Sequence, residues 1–278
     1  MIIDFHTHIL PPSFAKQRAT IAASDRTFAA LFPEDAARMA TAKDLLLAMD
    51  EDGIDVSVVL GYGWTNAVVA RASNDYLLES ASESRGRIIA FCSVDPSWGD
   101  AALREVERCV EGGARGIGEL HPTSQKLKLA TDEHVSVLMD LAIANDLPIV
   151  IHGSEPVGHA YAGKGQTHPS QLLALAERFP QVRLVGAHWG GGLPFYALMP
   201  EVRKALSNAW FDSAASPFLY DSDVYTIIAK TVGPQQMLFG SDFPLLRQKR
   251  ITEEAVSKLE PMQAAKFLGE NAEKLLGL

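Results

Sequence analysis

The sequence predicts a closed (β/α)8 TIM barrel, a single α/β domain over residues 1–278. Three observations lead there. Eight short apolar strand patterns alternate with helical patterns along the whole chain, as in parallel β/α architecture. No linker, composition break or low-complexity tract separates them. A length of 278 residues suits one barrel of this kind, typically about 250 residues. The alternative, an open doubly wound sheet, would more often carry a glycine-rich phosphate loop after its first strand. Here that place holds His6-Thr7-His8. Gly116-Ile117-Gly118 is only part of a dinucleotide fingerprint, and Gly163-Lys164-Gly165 does not make a P-loop. A Gly-x-Ser-x-Gly elbow is missing from the sequence as well.

The first strand runs Ile2-Ile3-Asp4-Phe5 into His6 and His8. Residues i and i+2 of a strand share a side. The two imidazoles should therefore project together, and they make half of a transition-metal site. Pro11 and Pro12 end the strand. From there to about Ala40 no element is clear, and a connection that long is usually functional or mobile. Thr41 to Asp52 reads as a helix. Thr41 and Asp44 suit its first turn, Leu45, Leu46 and Met49 make its stripe, and Gly53 stops it. Val56–Leu60 is a strand, Asn66–Arg85 a helix, and Arg87–Cys92 the third strand. Asp100–Val110 is a helix ended by Gly112-Gly113, followed by Ala114–Glu119, a strand of small residues. A helix at Thr131–Asn145 precedes the strand Pro148–His152, and a helix at Pro169–Phe179 opens on proline. Val182–His188 is the sixth strand, with a helix at Pro194–Leu206. Ala209–Asp212 is the seventh strand, Ser222–Thr231 a helix and Gln236–Phe239 the eighth strand, before two closing helical stretches.

Composition narrows the class. Hydrophobic residues make up 47% and charged residues 21%, as in ordinary soluble domains. A net charge of −9 argues against nucleic acid and anionic membrane surfaces. It leaves room for an anionic small molecule, because one local Arg or Lys overrides the global sign. Cys92 and Cys109 read as buried thiols in a reducing cytoplasm, not as a disulfide. The chain opens directly on a strand, so no signal peptide is expected, and no apolar run approaches a membrane span. The expectation is a cytoplasmic enzyme of a small-molecule substrate, with a homodimer through barrel helices left open.

In a barrel, chemistry collects at the carboxyl ends of the strands. Those ends carry His6 and His8, then Glu119, His152, His188 and Asp242 in chain order. His134 lies within a helical pattern and is assigned to the surface. His152 could otherwise be a hydrogen-bonded histidine of the barrel mouth, and Asp242 a turn residue of Gly240-Ser241-Asp242. The three glycines after Trp189 would let a substrate approach the backbone closely.

The chain resembles the amidohydrolase superfamily, in the amidohydrolase-related branch that includes aminocarboxymuconate semialdehyde decarboxylase-like enzymes. The resemblance spans the chain. It is carried by Ile3-Asp4-Phe5-His6-Thr7-His8, Ile149-Val150-Ile151-His152, Ala187-His188-Trp189-Gly190-Gly191-Gly192-Leu193-Pro194-Phe195, Phe239-Gly240-Ser241-Asp242-Phe243-Pro244 and the closing Glu270–Leu278. It implies a barrel with His6, His8, His152 and Asp242 around one divalent metal, usually zinc, with Mn2+ as another option. It also implies that His188 is catalytic and not a strong ligand. In some relatives the fourth strand supplies a residue that bridges two metals. Glu119, with His121 two residues on, therefore leaves a second ion open, although one ion is the expectation. Glu119 could instead hold a metal-bound histidine from behind.

Two reactions suit this set. In the first, metal-bound water attacks an ester, lactone or amide, Asp242 shuttles the proton and His188 polarises the carbonyl. In the second, the enzyme is a non-oxidative decarboxylase, with a general acid protonating the carbon that loses CO2 and an Arg or Lys gripping a carboxylate. Arg18, Arg26 and Lys164 are the candidates for that grip. Hydrolysis stands first, because Glu119 and Asp242 suit water activation. The loop Gly153–His168, with Glu155, His159, Tyr161 and Lys164 among four glycines, reads as a substrate-binding lid. A metal-stabilised binding barrel without catalysis would need a blocked coordination position, and nothing in the sequence suggests one.

Overall fold

Eight parallel strands form the barrel in the computed structural model, which describes residues 1–33 and 37–278. They are β1 Ile3–Thr7, β2 Val56–Val59, β3 Ile88–Ala90, β4 Ile117–Leu120, β5 Ile149–Ile151, β6 Leu184–Gly186, β7 Ala209–Asp212 and β8 Met237–Leu238. Ladders run continuously from β1 to β3 and from β4 to β8. Two seams close the ring. At the first, Cys92 bridges Ile117, and Arg115 N donates to Ala90 O at 2.9 Å. At the second, Thr7 bridges Phe243, and Phe5 N donates to Phe239 O at 2.7 Å. Closure leaves no open sheet edge.

Burial follows the strand alternation. Ile3, Phe5, Val58, Phe91, Val150, Val185 and Leu238 make one buried cluster, the barrel interior. Val59, Ile149, Leu184 and Phe211 face outward onto helical residues such as Leu45, Met49, Leu138 and Leu172. Gly116, just ahead of β4, is glycine for a steric reason: a Cβ there would lie 2.3 Å from the Phe91 ring. The final helix, Asn271–Leu276, puts Ala272, Leu275 and Leu276 into the interior cluster. Arg115 and Arg183, just ahead of β4 and β6, donate to its last carbonyls at 2.8 and 2.7 Å. This helix therefore plugs the end of the barrel opposite the histidines.

Two strands break the alternation. Between Asp4 and Thr7, β1 advances three residues while β2 advances only from Ser57 to Val59. Between Ile117 and Leu120, β4 does the same against Ile149 to Ile151. Each is a bulge, which re-aims the side chains beyond it. Asp4 faces outward, yet His6 joins His8 on the inside, and Glu119 turns inward beside them.

Several boundaries differ from the sequence expectation. The segment after Pro11 contains three short helices, Pro12–Lys16, Arg18–Ser24 and Arg26–Leu31; residues 34–36 of that segment lie outside the described residues. The helix expected at Pro194–Leu206 is a 3-10 turn, Leu193–Leu198, and a separate helix, Pro200–Ala205. Pro200 has no N–H to continue the earlier one. The sixth strand stops at Gly186, and His188 and Trp189 turn left-handed, both at φ 55°. Cys92 and Cys109 are free and buried. Among the described residues no helix is long and apolar enough to cross a membrane.

Candidate active site

At the carboxyl end of the strands four donor atoms converge. His6 Nε2 and His8 Nε2 are 3.0 Å apart. Asp242 Oδ1 lies 3.9 Å from the first and 3.5 Å from the second. Glu119 Oε2 lies 3.8 Å from each. Four ligands held at about 2.1 Å around an ion stand roughly 3.4 Å apart, so these spacings fit a divalent cation. The other oxygen of the same carboxylate, Glu119 Oε1, faces His152 Nδ1 at 3.0 Å and His188 Nε2 at 3.5 Å. His152 Nε2 is buried without a partner among the described residues. Thus the structure brings together all six residues at the strand ends.

The charge pattern supports the same fit. Glu119, Asp212 and Asp242 converge with only histidines as ion-pair partners among the described residues. Asp212 is fully buried at the end of β7. Its Oδ2 is 2.9 Å from His6 Nδ1, and its Oδ1 accepts from His188 N at 3.0 Å. That bond fixes the His6 tautomer and leaves Nε2 free for an ion. Sequence reading ended a strand on Asp212 and missed this role. The signal was there, a carboxylate at a strand's carboxyl end.

Burial alone would depress the pKa of His6. The charges of Asp212, Glu119 and Asp242 outweigh it and push that pKa up to about 9. For His8 burial wins, helped by the charge on His6, and its pKa falls to about 4. Burial also opposes the charge on His188, but the bond to Glu119 and the charge of Asp242 raise its pKa to about 10. A cation bound at these donors would have to displace the His6 proton. Because that proton is held up to about pH 9, metal affinity should rise as pH rises from 6.5 and level off above that value. Each displaced proton contributes about tenfold per pH unit. Calorimetric titration of the metal-free protein with Mn2+ across this range checks it, and a flat profile would contradict it.

The donors lie at the foot of a cavity of about 650 Å3. Its walls are largely apolar, with Leu31, Phe32, Phe218, Leu219 and Leu245 among them. His159 and Tyr161 line it. Lys164 does not: its ammonium donates to Val157 O and His159 O at 2.8 and 3.0 Å, which stitches the loop to itself. Arg18 is likewise off the wall and donates to Ala37 O at 3.0 Å. Arg26 donates to Ser124 O at 3.0 Å. Among the described residues, the cation on the wall is the exposed Arg38, which sequence reading did not single out. Tyr62 was also missed. It stacks on the His8 ring with centroids 3.9 Å apart, and burial raises its pKa, so its hydroxyl stays protonated.

Two expectations change in their physical meaning. His121 Nε2 lies 3.0 Å from Gly163 O, and its Nδ1 accepts from Ser124 N at 3.3 Å. Both nitrogens are engaged, so His121 anchors the loop and does not offer a ligand. Of the glycines after Trp189, Gly191 serves backbone packing: a Cβ there would meet Ser154 O at 2.5 Å.

The Amidohydrolase family model matches residues 3–278. The chain belongs to the amidohydrolase family. Among curated proteins this chain is 25% identical over 169 residues to gamma-resorcylate decarboxylase of Rhizobium sp., covering 51% of this chain and 49% of that protein. A gamma-resorcylate decarboxylase of Polaromonas sp. is 24% identical over 194 residues, covering 58% of each. The match thus spans about half the length of these relatives. Among solved structures, 5-carboxyvanillate decarboxylase LigW from Sphingomonas paucimobilis superposes with a TM-score of 0.78 at 14% identity, covering 100% of this chain and 99% of that one. The 5-carboxyvanillate decarboxylase from Novosphingobium aromaticivorans, complexed with manganese and 4-hydroxy-3-methoxy-5-nitrobenzoic acid, gives 0.79 at 18% identity, covering 100% and 96%. These likenesses establish the barrel. The curated relatives it matches are gamma-resorcylate decarboxylases, which overturns hydrolysis as the leading expectation for this chain.

Proposed function

We propose that this protein is a divalent-metal-dependent, non-oxidative decarboxylase of an aromatic or unsaturated carboxylate. The observation that carries the reading is the donor set of His6, His8, Glu119 and Asp242 at the foot of an apolar cavity, in a chain whose relatives are decarboxylases. Those four residues would hold one ion, with His152 beside them. Imidazole and carboxylate donors suit Mn2+ and Zn2+ alike. The manganese in the Novosphingobium aromaticivorans structure favours the first. The chemistry a divalent ion supplies in such a set is Lewis-acid polarisation of a substrate oxygen.

The remaining work falls to the chain. Leu31, Phe32, Phe218 and Leu245 take the apolar body of the substrate and exclude water from it. Arg38 takes the role first given to Arg18, Arg26 or Lys164, that of holding an anionic group. His188 Nδ1 is committed to Ala214 O at 3.0 Å, so Nε2 is the atom that moves a proton. As CO2 leaves, the electron pair of the broken C–C bond stays on carbon and takes a proton from His188 or Asp242.

The test is direct. Manganese-loaded protein is incubated with carboxyl-labelled hydroxybenzoates, including 2,6-dihydroxybenzoate and 5-carboxyvanillate, and labelled CO2 is trapped. Release that stops with EDTA and returns with Mn2+ is expected. A metal-loaded protein that releases CO2 from no carboxylate in the panel, yet hydrolyses esters or lactones, would overturn the proposal.

A further inference from the structure

We propose that Asp4, a residue outside the cavity, is the positioning residue of Asp242, and that it acts through Ser241. The inference rests on the metal-site reading above. Asp242 sits in the left-handed region at φ 64°, a conformation that costs a non-glycine residue energy unless its surroundings enforce it. The turn is held at three consecutive residues. Ser241 N donates to Asp4 Oδ1 at 2.9 Å. Asp242 N donates to His6 O at 2.9 Å. Phe243 N donates to Ser241 Oγ at 3.0 Å, and that hydroxyl in turn donates to Asp4 Oδ2 at 2.5 Å.

Asp4 is itself fixed from the helix layer. Gln248 Nε2, on the helix Gln248–Lys258, donates to Asp4 Oδ2 at 2.7 Å and to Ser57 Oγ of β2 at 3.1 Å. His6 N adds a longer bond to Asp4 Oδ1 at 3.3 Å. Asp4, Ser241 and Gln248 are all fully buried. No Lys, Arg or His side chain pairs with Asp4 among the described residues. A buried carboxylate without a cation is an expensive way merely to close a turn. What it does supply is enough acceptor capacity for four donors, which no neutral side chain of that size offers. Because of the bulge in β1, Asp4 looks outward to the helix while His6 looks inward to the ion site. One strand therefore sets a ligand directly and places a second ligand, Asp242, through its other face.

The experiment measures Mn2+ affinity of the full chain by calorimetry, with the Mn2+ electron paramagnetic resonance line shape and melting temperature beside it. Asp4→Asn puts an amide N–H2 against the donors of Ser241 and Gln248. It is expected to weaken Mn2+ binding about 10–100-fold, the usual range for groups behind a metal ligand, and to alter the line shape. The exchanged pair Asp4→Asn with Gln248→Glu restores donor facing acceptor and is expected to recover most of the affinity. Ser241→Ala, which removes only the hydroxyl link, is expected to fall between the two and carries the test if Asp4→Asn does not fold. Variants that melt lower but bind Mn2+ like the parent protein would overturn the proposal, as would an exchanged pair no better than Asp4→Asn. A parent protein that holds no Mn2+ would instead bring down the functional reading, and this inference with it.

Discussion

His6→Ala is expected to strip the ion from the protein and abolish activity while the barrel stays folded. The side chain is fully buried and supplies a donor between His8, Glu119 and Asp242. Removing it takes away a ligand and also leaves Asp212 facing an empty space. Groups behind a metal ligand already matter by 10–100-fold, so the loss of a ligand should exceed about 100-fold in affinity and bring turnover to background. The fold should survive, because Phe5 and not His6 fills the interior cluster. Metal content by mass spectrometry, circular dichroism and CO2 release check the three parts together. A variant that keeps full metal content and activity would remove the basis for the site.

Asp212→Asn should lower metal affinity about 10–100-fold with little change in fold. Asparagine keeps the shape and one acceptor for the His188 and Ala214 amides, which reach Asp212 Oδ1 at 3.0 and 3.1 Å. At the other oxygen it presents N–H2 to His6 Nδ1. The imidazole must then turn or switch tautomer, and Nε2 loses its lone pair toward the ion. A second signature follows. Burial opposes the charge on His6, and Asp212 is the foremost charge that raises its pKa to about 9. Without that charge the proton leaves at lower pH, so the pH dependence of Mn2+ binding should shift downward. An unchanged affinity with an unshifted profile would show that Asp212 is structural only.

Much of this was legible in residue order. Strands and helices alternate in periods that survive in a single sequence, and the eight strands appear where their apolar runs stand. The histidines and carboxylates that end those runs also converge. What failed depends on register and tertiary bonding. His6 and His8 share a side as expected, but a bulge before His8, not simple alternation, turns them inward. Lys164 looked like an anion grip because its charge was visible and its bonds to loop carbonyls were not. Arg38 and Tyr62 carried no local pattern at all. Reaction type was misread for a different reason: two imidazoles and two carboxylates serve water attack and decarboxylation equally, so the donor set alone does not choose between them.

The two register slips have a consequence for how this barrel tolerates change. Phe5 and His6, and likewise Gly118 and Glu119, are next-door neighbours that share the lumen, where ordinary pleating would send one of each pair outside. Each slip works as a gear between the stave below it and the donor-bearing tip above it. Deleting one residue at either place would swing the tip by half a turn of the pleat and carry an imidazole or a carboxylate into the helix layer. The lower staves, by contrast, can drift from one aliphatic residue to another without turning those tips.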